Sequence, residues 1–322
     1  MIFFIKYSYN YHKRKHMRSL TVITTFPPNR WQAYAKRMIE SFIQFWPAEV
    51  NLHVYYEKEK PNIVNDRIKY INLEDVNPEL VAFKNKHKDD PVACGELQEI
   101  PGGVRRLPNA GDKDRNKGSY LWDAVRFAHK TFAVAHAIKN SNTDNVLWLD
   151  ADTYTFRPIP LQFIFDLLPA EKLVNYLGRG KTYPECGWVM YNCNHNKIHD
   201  FIDTWTKLYT TDNIFKELEW HDSYLFWQVL KRVAPDQGVD IGKGAGAEGN
   251  HVFINSALGQ YIDHMKGKRK IKGKSSRSDL RTNPELDYWK NVENYDPFSG
   301  VKFDPKQAND IIAKVEKGTQ GN

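Results

Sequence analysis

Two carboxylates one residue apart follow an apolar run in the middle of the chain. The run Asn145–Leu149 ends at Asp150, and Asp152 stands two positions later. A short apolar run predicts a buried strand, so the acids fall where the strand leaves the sheet, at the edge where open α/β sheets bind ligands. Oxygens at a rigid strand end can hold Mg²⁺ or Mn²⁺, whose remaining positions accept substrate phosphates. A solvated turn after a strand is the simpler alternative.

The elements that must position this pair alternate between strands and helices. Residues 20–25 form an apolar, largely β-branched run that predicts a first strand, and a helical period of apolar residues extends over 31–46. Residues 50–56 and 68–73 predict two further strands, and 120–139 has helical periodicity that leads into the acidic strand. The alternation predicts an α/β fold, a Rossmann-type nucleotide-binding sheet with helices on both faces.

Polar residues near this sheet edge are candidate ligand contacts. The loop after the first strand should lie beside the acidic pair. Thr24, Thr25 and Phe26 are therefore candidate contacts to a base or ribose, although a loop that only turns the chain fits equally well. In the helix before the acidic strand, Arg126 and Lys130 lie one turn apart and form a candidate cationic pair for a diphosphate or for the first aspartate. An ordinary polar helix face is the alternative.

Three further segments of the chain also bear on function. Residues 183–192 predict one strand entered through Gly187, where the missing side chain lets a ligand or backbone approach closely, and Glu185 lies just before it. Asp222 stands at the predicted start of a helix, where an acid commonly caps the helix. Residues 86–117, rich in charges, glycine and proline, predict a long loop that covers a substrate.

The apolar strand ending in Asp-Ala-Asp at 150–152 resembles the DxD motif of GT-A-fold glycosyltransferases, which use nucleotide-sugar donors. The segment containing His264, Gly267 and Lys270 is similar to the H-x-x-G-x-x-K segment of glycogenin-like and lipopolysaccharide-galactosyltransferase-like retaining enzymes. The resemblance implies that Asp150, Asp152 and His264 bind Mn²⁺ or Mg²⁺. It implies that Gly267 and Lys270 serve the diphosphate, a role an ammonium suits because it neutralises departing charge.

The same resemblance implies a reaction. A hexose would pass from a nucleoside diphosphate sugar, with a UDP-sugar as the expected donor, to a hydroxyl of a glycan, lipid-linked or protein acceptor, with retention of configuration. Asp222 or Glu185 would orient sugar or acceptor hydroxyls. The family's Pro-Trp after the lysine is replaced here by Ile271 and Lys272, which leaves the subfamily open.

Composition sets the remaining expectations. The 322 residues carry a net charge of +7, with basic runs at 13–15 and 266–274, which suits anionic partners such as nucleotides. We expect no stable nucleic-acid partner. Three cysteines without C-x-x-C spacing favour the cytoplasm, and no segment has the length of a transmembrane span. We expect a leader or misassigned start at 1–17, a single GT-A-like catalytic domain at 18–273, and a polar tail at 274–322 with a short helix at 308–315.

Two other functional classes remain open at this stage. A nucleotidyltransferase also joins an α/β sheet to a metal, but it usually has a glycine-rich signature after the first strand, and residues 24–28 contain no glycine. A catalytically inactive module that binds glycans or nucleic acid is suggested by the basic charge and the many aromatic residues.

Overall fold

The computed structural model describes residues 18–106, 119–180, 182–245, 251–267, 269–282 and 284–297. The strands are β1 (Leu20–Thr25), β2 (Asn51–Tyr56), β3 (Ile68–Asn72), β4 (Leu97–Ile100), β5 (Gly103–Arg106), β6 (Asn145–Leu149), β7 (Thr153–Thr155), β8 (Val174–Arg179), β9 (Thr182–Glu185), β10 (Trp188–Asn192), β11 (Gly238–Asp240) and β12 (Ile262–His264). The helices are α1 (Lys36–Phe45), α2 (Pro78–His87), α3 (Ala124–Lys139), α4 (Leu161–Asp166), α5 (Ile198–Thr210), α6 (Asp222–Val233), α7 (Val252–Asn255), α8 (Arg269–Lys272) and α9 (Asp287–Asn291).

One mixed sheet organises the described residues. Its strand order is β11-β8-β10-β6-β1-β2-β3, and β9 pairs with β8 beside this path. Strands β6, β1, β2 and β3 are mutually parallel, whereas β10 runs antiparallel to both β6 and β8. The carboxyl ends of β1 and β6 therefore lie side by side, as the sequence predicts.

Helices cover both faces of this sheet. Consecutive residues of a strand point to opposite faces: Val22 and Leu147 belong to one core cluster, and Ile23 and Trp148 belong to the other. The cluster that contains Val22 includes residues of α1 and α7, and the cluster that contains Ile23 includes residues of α2, α3, α5 and α6. All five residues of β6 are buried, because a central strand covered on both faces exposes neither side. The predicted α/β fold class is confirmed.

Two segments differ from their sequence-based predictions. Residues 183–192 form two strands rather than one, β9 and β10, which are separated at Cys186 and Gly187 because β10 lies between β6 and β8 in the sheet while β9 pairs with β8 beside this path. Part of the predicted loop at 86–117 is an antiparallel hairpin of β4 and β5. Its two-residue turn is Pro101 and Gly102, and Gly102 (φ 96°) and the following Gly103 (φ 144°) have positive φ, which glycine adopts without strain. Residues 107–117 lie outside the described residues.

The described part of the C-terminal segment packs on the sheet domain. The Trp289 ring in α9 is fully buried, and its Nε1 donates a hydrogen bond to the Gly259 carbonyl at 2.7 Å. Tyr288 stacks on Phe156 with ring centroids 4.0 Å apart. The predicted leader at 1–17 and the predicted helix at 308–315 lie outside the described residues. Among the helices that are described, none combines the length and apolarity needed to cross a bilayer.

Candidate active site

A short ribbon of two strands brings distant residues to the acidic pair. After β6 the chain turns at Asp150, whose backbone carbonyl accepts hydrogen bonds from the Thr153 amide (3.2 Å) and hydroxyl (2.9 Å). The turn leads into β7, which pairs antiparallel with β12, so that Thr153 lies opposite His264. This pairing places His264 beside the carboxylates although it is far away in the sequence.

Two carboxylates and one imidazole converge at this point. The Nε2 atom of His264 lies 3.3 Å from Oδ1 of Asp152 and 3.7 Å from Oδ2 of Asp150. One ligand atom from each residue lies within 4.8 Å of the others. Carboxylate oxygen and imidazole nitrogen suit Mn²⁺. The three side chains predicted as metal ligands therefore fit a divalent cation in both chemistry and spacing.

The charges in this cluster shift one another's pKa values. Burial disfavours the charged form of His264, but the carboxylates of Glu185 and Asp152 outweigh burial and raise the pKa of His264 to about 10. Burial opposes ionisation of Asp152 as well, yet nearby Lys270 and His264 hold its pKa below the ordinary value. Burial raises the pKa of Asp150. Cationic side chains thus compensate the negative charge of the acidic pair.

The residues after His264 lie at the same edge. The Lys270 ammonium is 3.0 Å from Oδ2 of Asp152 and 5.5 Å from the centre of the Tyr34 ring. Gly267 forms the turn between β12 and α8 with φ 63°, a left-handed conformation that glycine adopts without strain. Gly267 is absent from the described residues that line the neighbouring cavity, whereas Lys266 and Lys270 line it.

Glu185 and Gly187 lie directly behind His264. Oε1 of Glu185 is 2.8 Å from Nδ1 of His264. A Cβ atom on Gly187 would come within 2.8 Å of Cε1 of His264 and 2.9 Å of Oε1 of Glu185. The close approach expected at this glycine is therefore an approach of the His264 ring. Burial would raise the pKa of Glu185, but Lys266 and His264 hold it below its ordinary value.

A buried lysine joins the acidic pair to the start of α6. The Lys130 ammonium donates to Oδ2 of Asp222 (2.6 Å), to the backbone carbonyl of Cys186 (2.7 Å) and to Oδ1 of Asp150 (3.5 Å). An ammonium has three hydrogens, and protein acceptors are present for all of them. Burial opposes the charge on Lys130, but Asp150 and Asp222 outweigh burial and raise its pKa.

Asp222 does not cap its helix. It is the first residue of α6, the N-cap position belongs to His221, and no side-chain capping hydrogen bond is present. Its carboxylate accepts a hydrogen bond from the Lys130 ammonium. The positive charge of Lys130 outweighs the effect of burial and lowers the pKa of Asp222. The capping alternative is wrong because the helix begins one residue earlier than that role requires.

A cavity of about 630 Å³ opens over these groups. Thr25 and Phe26 line it at the end of β1, as does Arg126 on α3. Thr24 is absent from its described lining and is fully buried, because its side chain points to the opposite face of the strand from that of Thr25. The lining also contains residues that the sequence analysis did not single out: Arg30, Tyr34, Tyr120, Arg179, Tyr183, His221 and Lys266. Their spacing in the sequence follows no pattern.

No family model matches the sequence, and no curated protein matches it. Comparison of the structures does find similar solved proteins. The apo form of mouse xyloside xylosyltransferase 1 matches with 10% identity and a TM-score of 0.42, over 69% of this chain and 84% of that one. A glycosyltransferase involved in glycosylation of the major capsid of PBCV-1 matches with 13% identity and a TM-score of 0.41, over 78% and 96%. The apo WbbM bifunctional glycosyltransferase matches with 10% identity and a TM-score of 0.45, over 92% and 52%.

Proposed function

We propose that this protein is a metal-dependent glycosyltransferase that moves a sugar from a nucleoside diphosphate sugar to an acceptor hydroxyl. One observation carries the proposal: Asp150, Asp152, His264 and Lys270 meet at one edge of a nucleotide-binding type of sheet. The cavity of about 630 Å³ above them lies in the size range of small-molecule sites. A site with carboxylates, an imidazole and an ammonium suits a diphosphate bound through a cation.

The donor is proposed to bind with its diphosphate over the acidic pair. A divalent cation held by Asp150, Asp152 and His264 would stabilise the charge that develops on the diphosphate as the glycosidic bond breaks. Lys270 lines the cavity and supplies a second positive charge. Thr25 and Phe26 line the cavity beyond the end of β1, so we assign the nucleoside to that side, with a UDP-sugar as the expected donor.

Asp222 is proposed to orient a hydroxyl of the sugar or acceptor rather than to remove its proton. Its ion pair with Lys130 holds it as a weakly basic carboxylate. The departing diphosphate is then the group that takes the acceptor proton, an arrangement in which configuration at the anomeric carbon is retained. The anomeric coupling constant in the ¹H NMR spectrum of freshly formed product tests retention directly.

Donor binding is tested by a thermal-shift screen of nucleotide sugars with and without Mn²⁺. We expect one donor class to raise the melting temperature only when Mn²⁺ is present, and Asp152→Asn to abolish this effect while the variant stays folded. Lys270→Met should weaken donor binding at saturating Mn²⁺. Lys272→Met is its matched control, since Lys272 lies exposed on the same short helix.

Turnover is then measured with the donor that the screen identifies. Release of nucleoside diphosphate should require Mn²⁺ and should fall by on the order of a hundredfold or more in Asp152→Asn, the scale of losing one positioned electrostatic group. Unchanged turnover in that variant would refute the metal assignment. Donor binding without any transfer or hydrolysis would instead favour an inactive binding module.

A further inference from the structure

Three buried polar groups meet on the side of His264 that faces away from the aspartates. They are the carboxylate of Glu185, the ring of His251 and the Nδ1 atom of His264, and one atom from each lies within 4.8 Å of the others. The exposed fractions of Glu185, His251 and His264 are 4%, 7% and 2%. Buried polar groups are expensive unless they are satisfied, so this arrangement needs a physical account.

Glu185 and His264 are partners in this cluster. Oε1 of Glu185 and Nδ1 of His264 are 2.8 Å apart, within ion-pair distance, and among the described residues neither atom makes a well-angled hydrogen bond to any group. An imidazole that binds a metal is neutral and carries one hydrogen. When that hydrogen is on Nδ1 and is directed at the carboxylate, the lone pair is on Nε2, which is the atom that faces Asp150 and Asp152.

His251 acts on the backbone of the same residue. Its Nε2 lies 2.6 Å from the carbonyl oxygen of His264. A carbonyl only accepts hydrogen bonds, so Nε2 of His251 carries the hydrogen and donates it. The ring of His264 is thus held by Glu185 and its main chain by His251, a residue in the loop before α7.

Resting on the function proposed above, we infer that Glu185 and His251 are positioning residues that fix the tautomer and orientation of His264 as a metal ligand. Ligating histidines commonly give their second nitrogen to a carboxylate or carbonyl, and removal of that partner weakens metal affinity about 10–100-fold. Glu185 therefore acts on the cation through His264. The same three groups would bind a second cation only if His264 lost the hydrogen from both ring nitrogens.

The experiment measures Mn²⁺ binding to the full chain without any donor. Titration followed by the EPR signal of free Mn²⁺ gives both affinity and stoichiometry. We expect one ion per chain in the parent and an affinity about 10–100-fold weaker in Glu185→Gln. The nitrogen coupling from His264 in the pulsed EPR spectrum of bound Mn²⁺ should be present in the parent and diminished in the variant.

Glu219→Gln is the matched control. Glu219 also lies 2.8 Å from a histidine nitrogen, Nε2 of His221, but it is absent from the groups of described residues that could share a metal ion. The affinity of the Glu219→Gln variant for Mn²⁺ should equal that of the parent. If Glu185→Gln fails to fold, Gly187→Ala replaces it, because the added methyl group pushes into the contact between Glu185 and His264 without changing any charge.

The outcomes separate this inference from the proposed function. If the parent binds Mn²⁺, Asp152→Asn loses it and Glu185→Gln binds as the parent does, the positioning role is refuted and the metal site stands. If the parent binds no Mn²⁺, both fall. Two ions per chain, with the second lost in His251→Ala, would show that the buried cluster is itself a metal site and would overturn the positioning role.

Discussion

Lys130→Met should destabilise the protein strongly, because it removes the cation at the centre of a buried acidic cluster. The Lys130 ammonium lies 2.6 Å from Asp222 and 3.5 Å from Asp150, and its side chain is only 8% exposed. Deleting one partner of a buried ion pair costs about 3–5 kcal/mol, since the remaining charge stays buried and uncompensated. For a domain of this size that cost corresponds to roughly 6–20 °C in melting temperature.

Urea unfolding and thermal melting of four variants test this reasoning: Lys130→Met, Asp222→Asn, the double variant and Lys139→Met. The double variant Lys130→Met with Asp222→Asn should recover part of the loss, because it removes the unpaired carboxylate, and the coupling should lie at about 0.5–3 kcal/mol. Lys139→Met is the control on the same helix: its ion pair with Asp203 is exposed and should contribute about 1 kcal/mol or less. A loss below about 1 kcal/mol in Lys130→Met, or no recovery in the double variant, would refute the reasoning.

Three further predictions concern regions away from the acidic pair. Trp289→Ala should cost about 3–5 kcal/mol in urea unfolding, because the ring is fully buried; a cost near zero would show that α9 is not docked. Burial lowers the pKa of His129 to about 4, so the folded state binds fewer protons than the unfolded state between pH 6.5 and 4. Stability should therefore fall as pH drops through this window, and His129→Gln should flatten the fall measured by melting temperature; an unchanged slope contradicts the assignment. Removal of residues 1–16 should leave the melting temperature unchanged, and a drop of several degrees would show that they contribute to the fold.

The local periodicity of apolar residues predicts most of the strands and helices of the sheet domain. The run at Leu20–Thr25 became β1 with the same bounds, and the acidic pair was correctly placed after β6, because a buried central strand leaves an uninterrupted apolar run. The break between β9 and β10 was not predictable in this way. The two pieces follow each other closely in the sequence, and they differ in pairing: β9 pairs with β8, whereas β10 pairs with both β6 and β8.

The site was less predictable than the sheet, because its contacts span long stretches of chain. The location of His264 depends on β7 and β12, strands of three residues that are too short to show a period. Lys130 on α3 and Asp222 on α6 pair across the fold, and no sequence spacing reveals that pair. The resemblance to a motif, rather than periodicity, pointed to His264 and Lys270.

The ribbon of β7 and β12 gives a bound cation a mechanical role as well as a chemical one. Its proposed ligands come from two segments that are far apart in the sequence. Asp152 immediately precedes β7, and His264 is the last residue of β12. A cation held between them would act as a reversible cross-link that closes the long loop of chain between these residues, and it would stabilise the folded state by an amount that rises with the logarithm of its free concentration once that exceeds the dissociation constant. If the proposed metal site is correct, the supply of metal would then affect how long the protein survives proteolysis.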